Sequence, residues 1–114
     1  MDTEPLDRAT LDELTASLGS DFVRELAGTF GAEAPAMLGA LRRALADGDA
    51  EAFRRAAHTL KSNAHTFGAA GLGARAKALE HGGLAHARAT SGVLDDLERE
   101  YERVARALAE LGHG

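Results

Sequence analysis

Leu94, Leu97, Tyr101, Val104, Leu108 and Leu111 follow one another at intervals of three, four, three, four and three residues. That alternation puts all six on one stripe of an α-helix and leaves the remaining surface polar. A stripe of this kind requires other helices against it. The sequence supplies them: Phe22, Leu26, Phe30, Met37, Leu41 and Leu45 recur every three or four positions between Ser20 and Asp47. The residue palette agrees, because Ala, Leu, Glu and Arg dominate, Ile is absent and Val, Tyr and Phe are sparse, a composition that favours helix over strand. The expected fold is all-α, an antiparallel four-helix bundle core with a short extra N-terminal helix. The 94–111 stripe runs for fewer than three heptads, and two other amphipathic segments need partners. Packing within the chain is therefore expected in place of a dimeric coiled coil, giving a monomer.

Local signals set the boundaries. Thr10-Leu11-Asp12-Glu13 has the form of a capping box opening a first short helix that stops at Gly19, since a Thr hydroxyl and a Glu three residues on can satisfy each other's backbone donors. Ser20 is the expected cap of the second helix, which ends at Asp47-Gly48-Asp49. Pro35 falls inside it; its missing N–H and its clash with the preceding turn predict a kink, or two abutting helices, near residues 31–34. Asp49 caps a third helix with Glu51 in its first turn, running to about Thr66. After Phe67-Gly68 a fourth helix is marked by Leu72, Ala76 and Leu79, with a glycine terminus expected at His81-Gly82-Gly83. A polar linker through Thr90-Ser91-Gly92 precedes the last helix.

At 114 residues the chain has the length of one domain, taken as residues 1–114. Lys and Arg number 13 against 18 Asp and Glu, a net charge of −5, with no basic run to follow a phosphate backbone, so nucleic acid is not an expected partner. There is no cysteine, which removes disulfides, thiolate nucleophiles and thiolate metal sites together. No apolar run approaches a bilayer's thickness, and the acidic start Met1-Asp2-Thr3-Glu4 is unlike a signal peptide's basic n-region. The chain reads as soluble, cytoplasmic and mature as written.

The third helix carries the chemistry. With about 100° of rotation per residue and His58 at zero, Phe53, Ala56, Leu60, Ala64 and Phe67 fall between about 160° and 240°. His58 therefore faces water. Lys61 lies about 60° away, Ser62 about 40° and His65 about 20°, with Arg54 and Arg55 nearby; Asn63 falls at the margin. An exposed His or Lys is ordinarily a solvated surface residue, and the combination is what narrows the reading. Ala57, Ser62 and Ala64 are small and expected to leave the surface low around the imidazole. An ordinary imidazole is mostly neutral near pH 7, and a neighbouring cation favours that form. No carboxylate sits on this helix face within one turn of His58, so no base is expected there to activate water.

Ala57-His58-Thr59-Leu60-Lys61, then Ser62-Asn63-Ala64, Phe67-Gly68-Ala69, Leu72 and Leu79-Glu80 resemble the histidine-containing phosphotransfer domain. The stretch 21–30, Ala34-Pro35, Gly48-Asp49 and the Tyr101 helix also sit where that family's pattern puts them. The resemblance implies a helical bundle with a four-helix core, His58 as phosphoacceptor and Lys61 as stabiliser of the phosphoryl group. It further implies a partner: the receiver domain of a response regulator or hybrid histidine kinase, whose phospho-aspartate and Mg²⁺ supply most of the active site. Arg54, Arg55, Ser62 and His65 are the expected partner-binding rim, with the second helix adjoining. Ser62 departs from the family, which most often has glycine there. No cofactor of its own is expected and no metal, and no ATP, since a Gly-x-x-x-x-Gly-Lys-Ser/Thr loop is missing and Gly68-Ala69-Ala70-Gly71-Leu72-Gly73 has the wrong spacing for a dinucleotide fingerprint. Two rivals remain. Five histidines raise a metal-binding bundle, against which stand the seven-residue spacing of His58 and His65, the five-residue spacing of His81 and His86, and the lack of His-Glu-x-x-His. His81, His86 and His113 are expected to be cap or surface residues. The second rival is a helical module that binds a receiver or kinase without transferring phosphate.

Overall fold

The computed structural model describes residues 5–111. It consists of five helices, α1 (Arg8–Leu18), α2 (Ser20–Asp47), α3 (Ala50–Thr66), α4 (Ala70–Ala89) and α5 (Val93–Leu111), with no strand among the described residues. Met1-Asp2-Thr3-Glu4 and His113 lie outside that range. No helix among the described residues is long and apolar enough to cross a membrane.

The first helix begins earlier than the capping box suggests. Asp7 is its N-cap, its Oδ2 accepting from the Thr10 backbone N–H at 3.0 Å and from the Thr10 hydroxyl at 2.6 Å. Thr10 is thus inside the helix as a donor, and this start lets Leu11 reach the core. Ser20 is not a cap either. Gly19, at φ 88°, ends α1 through its N–H to Thr15 O and directly opens α2 with no side-chain cap; an L side chain rarely adopts that φ. Asp49 caps α3 as expected, accepting from the Ala52 N–H at 3.1 Å.

Pro35 does not divide α2, which runs 28 residues without a break. The ring sits on the exposed side, and the carbonyl it leaves without a helical donor is that of residue 31, four positions back. Tyr101 fills the vacancy, its hydroxyl donating to Gly31 O at 3.2 Å. Burial also pushes the Tyr101 phenol up from its ordinary pKa, which keeps it a donor. A side chain on α5 therefore makes a proline tolerable in α2.

The expected end of α4 at His81-Gly82-Gly83 is a kink instead. Gly83 takes φ 62° and ψ −156°, and the helix resumes to Ala89, with Ala87 buried in the core. At the α3–α4 turn Gly68 is required twice over. Its φ is +68°, and a Cβ there would come within 2.8 Å of Thr10 Cβ; the Asp7 N–H also donates to Gly68 O at 2.8 Å.

Packing joins α2 to α3, α3 to α4, α4 to α5 and α5 back to α2, while α1 lies on α2. Phe53, Leu41, Leu60, Leu72, Leu79, Leu97 and Val104 are fully buried at the centre, each leucine or phenylalanine contributing about 1.5–3 kcal/mol by leaving water. Phe30 meets Phe67 edge to face, ring centroids 5.6 Å apart. In α5 the expected stripe from Leu94 to Leu108 is buried; the side chain of Leu111 is outside the described set. In α2 the stripe is displaced. Phe22 is 47 % exposed, and Val23, Ala27, Phe30, Ala34, Leu38 and Leu41 form the buried face, so alanines take positions that larger residues had been expected to fill.

Candidate functional site

On α3, Phe53, Ala57, Leu60 and Ala64 are buried, and His58 stands opposite with its side chain 54 % exposed. The helical arithmetic holds for the core and for His58. The separate expectation that Ala57 and Ala64 keep the surface low around the imidazole does not hold. Both have no exposure; Ala64 Cβ lies 3.7 Å from where a Cβ on Gly73 would stand, so Ala64 lets α4 approach α3, and neither alanine clears space around the ring. Ser62 is exposed beside His58.

The feature that reading α3 alone could not reveal is Glu80, on α4. Its Oε2 lies 2.7 Å from His58 Nδ1, and its Oε1 lies 2.6 Å from Lys61 Nζ. A carboxylate therefore does touch His58, contrary to the expectation from the helix face, because it arrives from the neighbouring helix. Lys61 is also less open than expected. Its side chain is 20 % exposed and turned toward α4, where Glu80 is 12 % exposed. Its cation is paired with the Glu80 carboxylate, so it does not act on His58 unbalanced.

The two partners fix the state of the acid. Lys61 chiefly, and His58 after it, hold the Glu80 carboxyl down at about 2 against a partial desolvation that pushes it up. Glu80 is consequently an ionised, acceptor-only group at neutral pH. An acceptor at 2.7 Å from Nδ1 requires Nδ1 to carry the proton, and in the neutral ring the lone pair then belongs to Nε2. The sequence quoted Glu80 only within the family pattern. Its role was missed because pairing across helices depends on register between α3 and α4, which helix periodicity does not encode.

The remaining residues fall into place around this pair. Arg54 reaches Glu51 at 2.8 Å and Arg55 reaches the same carboxylate at 3.8 Å, so part of the expected positive rim is neutralised. His65 is exposed and lies over Gly73, where a Cβ would sit 2.9 Å from its Cδ2. Asn63 is half-buried toward α2, its amide 3.8 Å from Met37 Sδ. His81 is exposed and His86 half-buried. Among the described residues no group of three or more His, Cys, Asp or Glu could hold a metal ion.

A half-exposed imidazole, oriented through one nitrogen and open at the other, is the chemistry of a nitrogen nucleophile. Residues 25–111 match the family model of the Hpt domain, a span that runs from inside α2 to the end of α5. The chain belongs to the Hpt domain family, and its role is histidine phosphotransfer within phosphorelays. The fold is also that of histidine-containing phosphotransfer protein B from Pseudomonas aeruginosa, whose crystal structure superposes with a TM-score of 0.85 at 26 % identity over 99 % of each chain. No curated protein sequence matches this chain.

Proposed function

We propose that His58 accepts a phosphoryl group on Nε2 from the phospho-aspartate of a receiver domain and passes it to a second receiver. The observation that carries this reading is the His58–Glu80 contact of 2.7 Å, which commits Nδ1 and leaves Nε2 with the lone pair on a half-exposed ring. In the forward step Nε2 attacks phosphorus, the bond from phosphorus to the aspartate oxygen breaks, and the carboxylate departs with its electron pair. Phosphoryl transfer passes through a loose transition state, so positioning and charge do most of the work. The positive charge that develops on the ring is met by Glu80, and Lys61 is the cation for the phosphoryl oxygens. The receiver brings Mg²⁺. This chain contributes the nucleophile and its orientation and needs no nucleotide.

The same acid supports persistence of the phosphohistidine. Each Glu80 oxygen is already engaged, one by the His58 Nδ1–H and one by the Lys61 ammonium, and a carboxyl held at about 2 is a poor base for water. We take residues 1–114 as one cytoplasmic, monomeric phosphotransfer domain whose ring of α2 to α5 is an antiparallel four-helix bundle core. The receiver docks over the His58 face and along α2, with Arg54, Arg55, Ser62 and His65 at its rim. Incubation with a receiver charged by acetyl phosphate tests the reading. Acid-labile, base-stable label on the wild type and none on His58→Gln is the expected result. Label retained by His58→Gln moves the acceptor elsewhere, and receiver binding with no label on either protein makes this a non-transferring module.

A further inference from the structure

We infer that Lys61 changes partner during transfer: Glu80 holds it in the unphosphorylated protein, and it passes to the phosphoryl oxygens once Nε2 is charged. The inference rests on the reading of His58 as acceptor and deepens it, since it makes Glu80 a competitor for the lysine that stabilises the product.

The geometry before transfer is direct. Lys61 Nζ is 2.6 Å from Glu80 Oε1, so the cation assigned to the phosphoryl group is already engaged. Glu80 approaches the ring at Nδ1, whereas the phosphoryl group attaches at Nε2, so the lysine must leave one end of the site to serve the other. It is built to do so. Lys61 follows His58 by three residues, which starts both side chains on one helix face, and its four-carbon stem swings a compact ammonium with three donors. Because a phosphoryl group carries more charge than a carboxylate and offers three acceptor oxygens, it is the stronger claimant.

Charge balance shows why Glu80 is not stranded by the exchange. Before transfer the ring is neutral, Glu80 is an anion and Lys61 is its cation. Attack by Nε2 with retention of the Nδ1 proton turns the ring into an imidazolium. Glu80 thereby gains a cationic partner at the moment Lys61 departs, and Lys61 meets the phosphoryl dianion. Each ionised side chain keeps a partner of opposite charge in both states, and the phosphoryl dianion retains one charge beyond the one that Lys61 meets. The side chain of His58 is 54 % exposed against 12 % for Glu80, so the phosphoryl end of the ring is the accessible one and the acid remains under the site.

Glu80→Gln is the discriminating variant, because its amide oxygen can still accept from Nδ1–H while the competing charge is gone. Glu80→Gln also removes the anion that meets the phospho-imidazolium, so the lysine's share is read from a cycle: with a receiver charged by acetyl phosphate, the effect of Glu80→Gln on the equilibrium is expected to favour phospho-His58 by about threefold or more relative to its effect in a Lys61→Met background, where only the loss of that anion remains. ¹⁵N NMR of the whole protein, phosphorylated directly with phosphoramidate, is expected to show the Lys61 ammonium losing its coupling to the Glu80 carboxyl as phosphohistidine forms. The His58 ring signals should keep Nδ1 protonated in Glu80→Gln, and a thermal melt establishes that the variant is folded. An equal effect of Glu80→Gln with and without Lys61, a coupling of the opposite sign, or an unmoved lysine signal overturns the inference. None of these outcomes bears on His58 as acceptor, which fails separately if His58→Gln is labelled.

Discussion

Two clusters in this molecule share one plan, an acid between two nitrogen bases, and only one of them holds a group that can act as a nucleophile. Glu80 stands between His58 and Lys61 on the α3 side of α4. Glu100, on α5, stands between Arg103 at 2.9 Å and Arg75 at 4.0 Å on the other side of α4. Arg75 also reaches Asp96 at 2.8 Å and the Gly71 carbonyl at 3.1 Å. Glu100 is the more buried of the two acids, 6 % exposed against 12 %. What separates the clusters is the partner. Arginine is a permanent cation with no lone pair to give, so the Glu100 cluster can only bind helices together. Replacing one arginine with a half-exposed imidazole leaves a nitrogen unprotonated and reachable, and the same arrangement acquires chemistry. Burial and ion pairing are common to both clusters and do not by themselves mark function.

The difference can be broken from either side. The largest effect is expected from Glu100→Ala, which removes the acid that joins Arg75 to Arg103 and should cost about 1–3 kcal/mol of stability, read as a lower urea midpoint, while phosphoryl transfer to the folded protein stays within about twofold of wild type. A transfer defect in that variant would couple the two clusters and end the distinction. A smaller effect belongs to acid pH. The Glu80 carboxyl lies at about 2 in the folded protein against an ordinary 4.5, so its contribution to stability is complete above about 4.5 and is lost as pH falls toward about 2. The urea midpoint of wild type should therefore approach that of Glu80→Gln across this window; a constant gap would mean that the Glu80 ion pairs add nothing to the fold. The smallest effect is expected from Gly73→Ala. Its Cβ would stand at an ordinary 3.7 Å from Ala64 Cβ and crowd the exposed imidazole of His65, at 2.9 Å, which can turn aside, so the thermal midpoint should correspond to a change within about 0.5 kcal/mol. A larger loss would show that His65 is held in place and belongs with the His58 cluster.

Residues that act within one helix were legible in the sequence, and residues that act between helices were not. The faces of α3 and α5 follow from 3.6-residue periodicity, and Asp49 and Gly48 act where capping chemistry predicts. In α2, Phe30 and Leu41 are buried as expected, and the rest of the stripe was misplaced because Ala27, Ala34 and Ala44 take buried positions and alanine carries little hydrophobic signal. Pro35 was read as a break because the hydroxyl that satisfies the freed Gly31 carbonyl comes from Tyr101, 70 residues later. His58, Lys61 and Ser62 were singled out from a local pattern. Glu80 needed the relative rotation of α3 and α4, which the full set of packed side chains determines.

Gly83 places a backbone discontinuity three residues after Glu80. The segment 70–82 is anchored between α3 and α5 by Leu72, Ala76 and Leu79, which are fully buried, whereas beyond the kink only Ala87 is buried. Helical cooperativity propagates along an unbroken hydrogen-bonded chain of similar dihedral angles, and it stops where φ and ψ leave that range. Opening or fraying of 84–89 therefore ends at Gly83, and the α5 linker beyond it is mechanically insulated from the acid that aims His58.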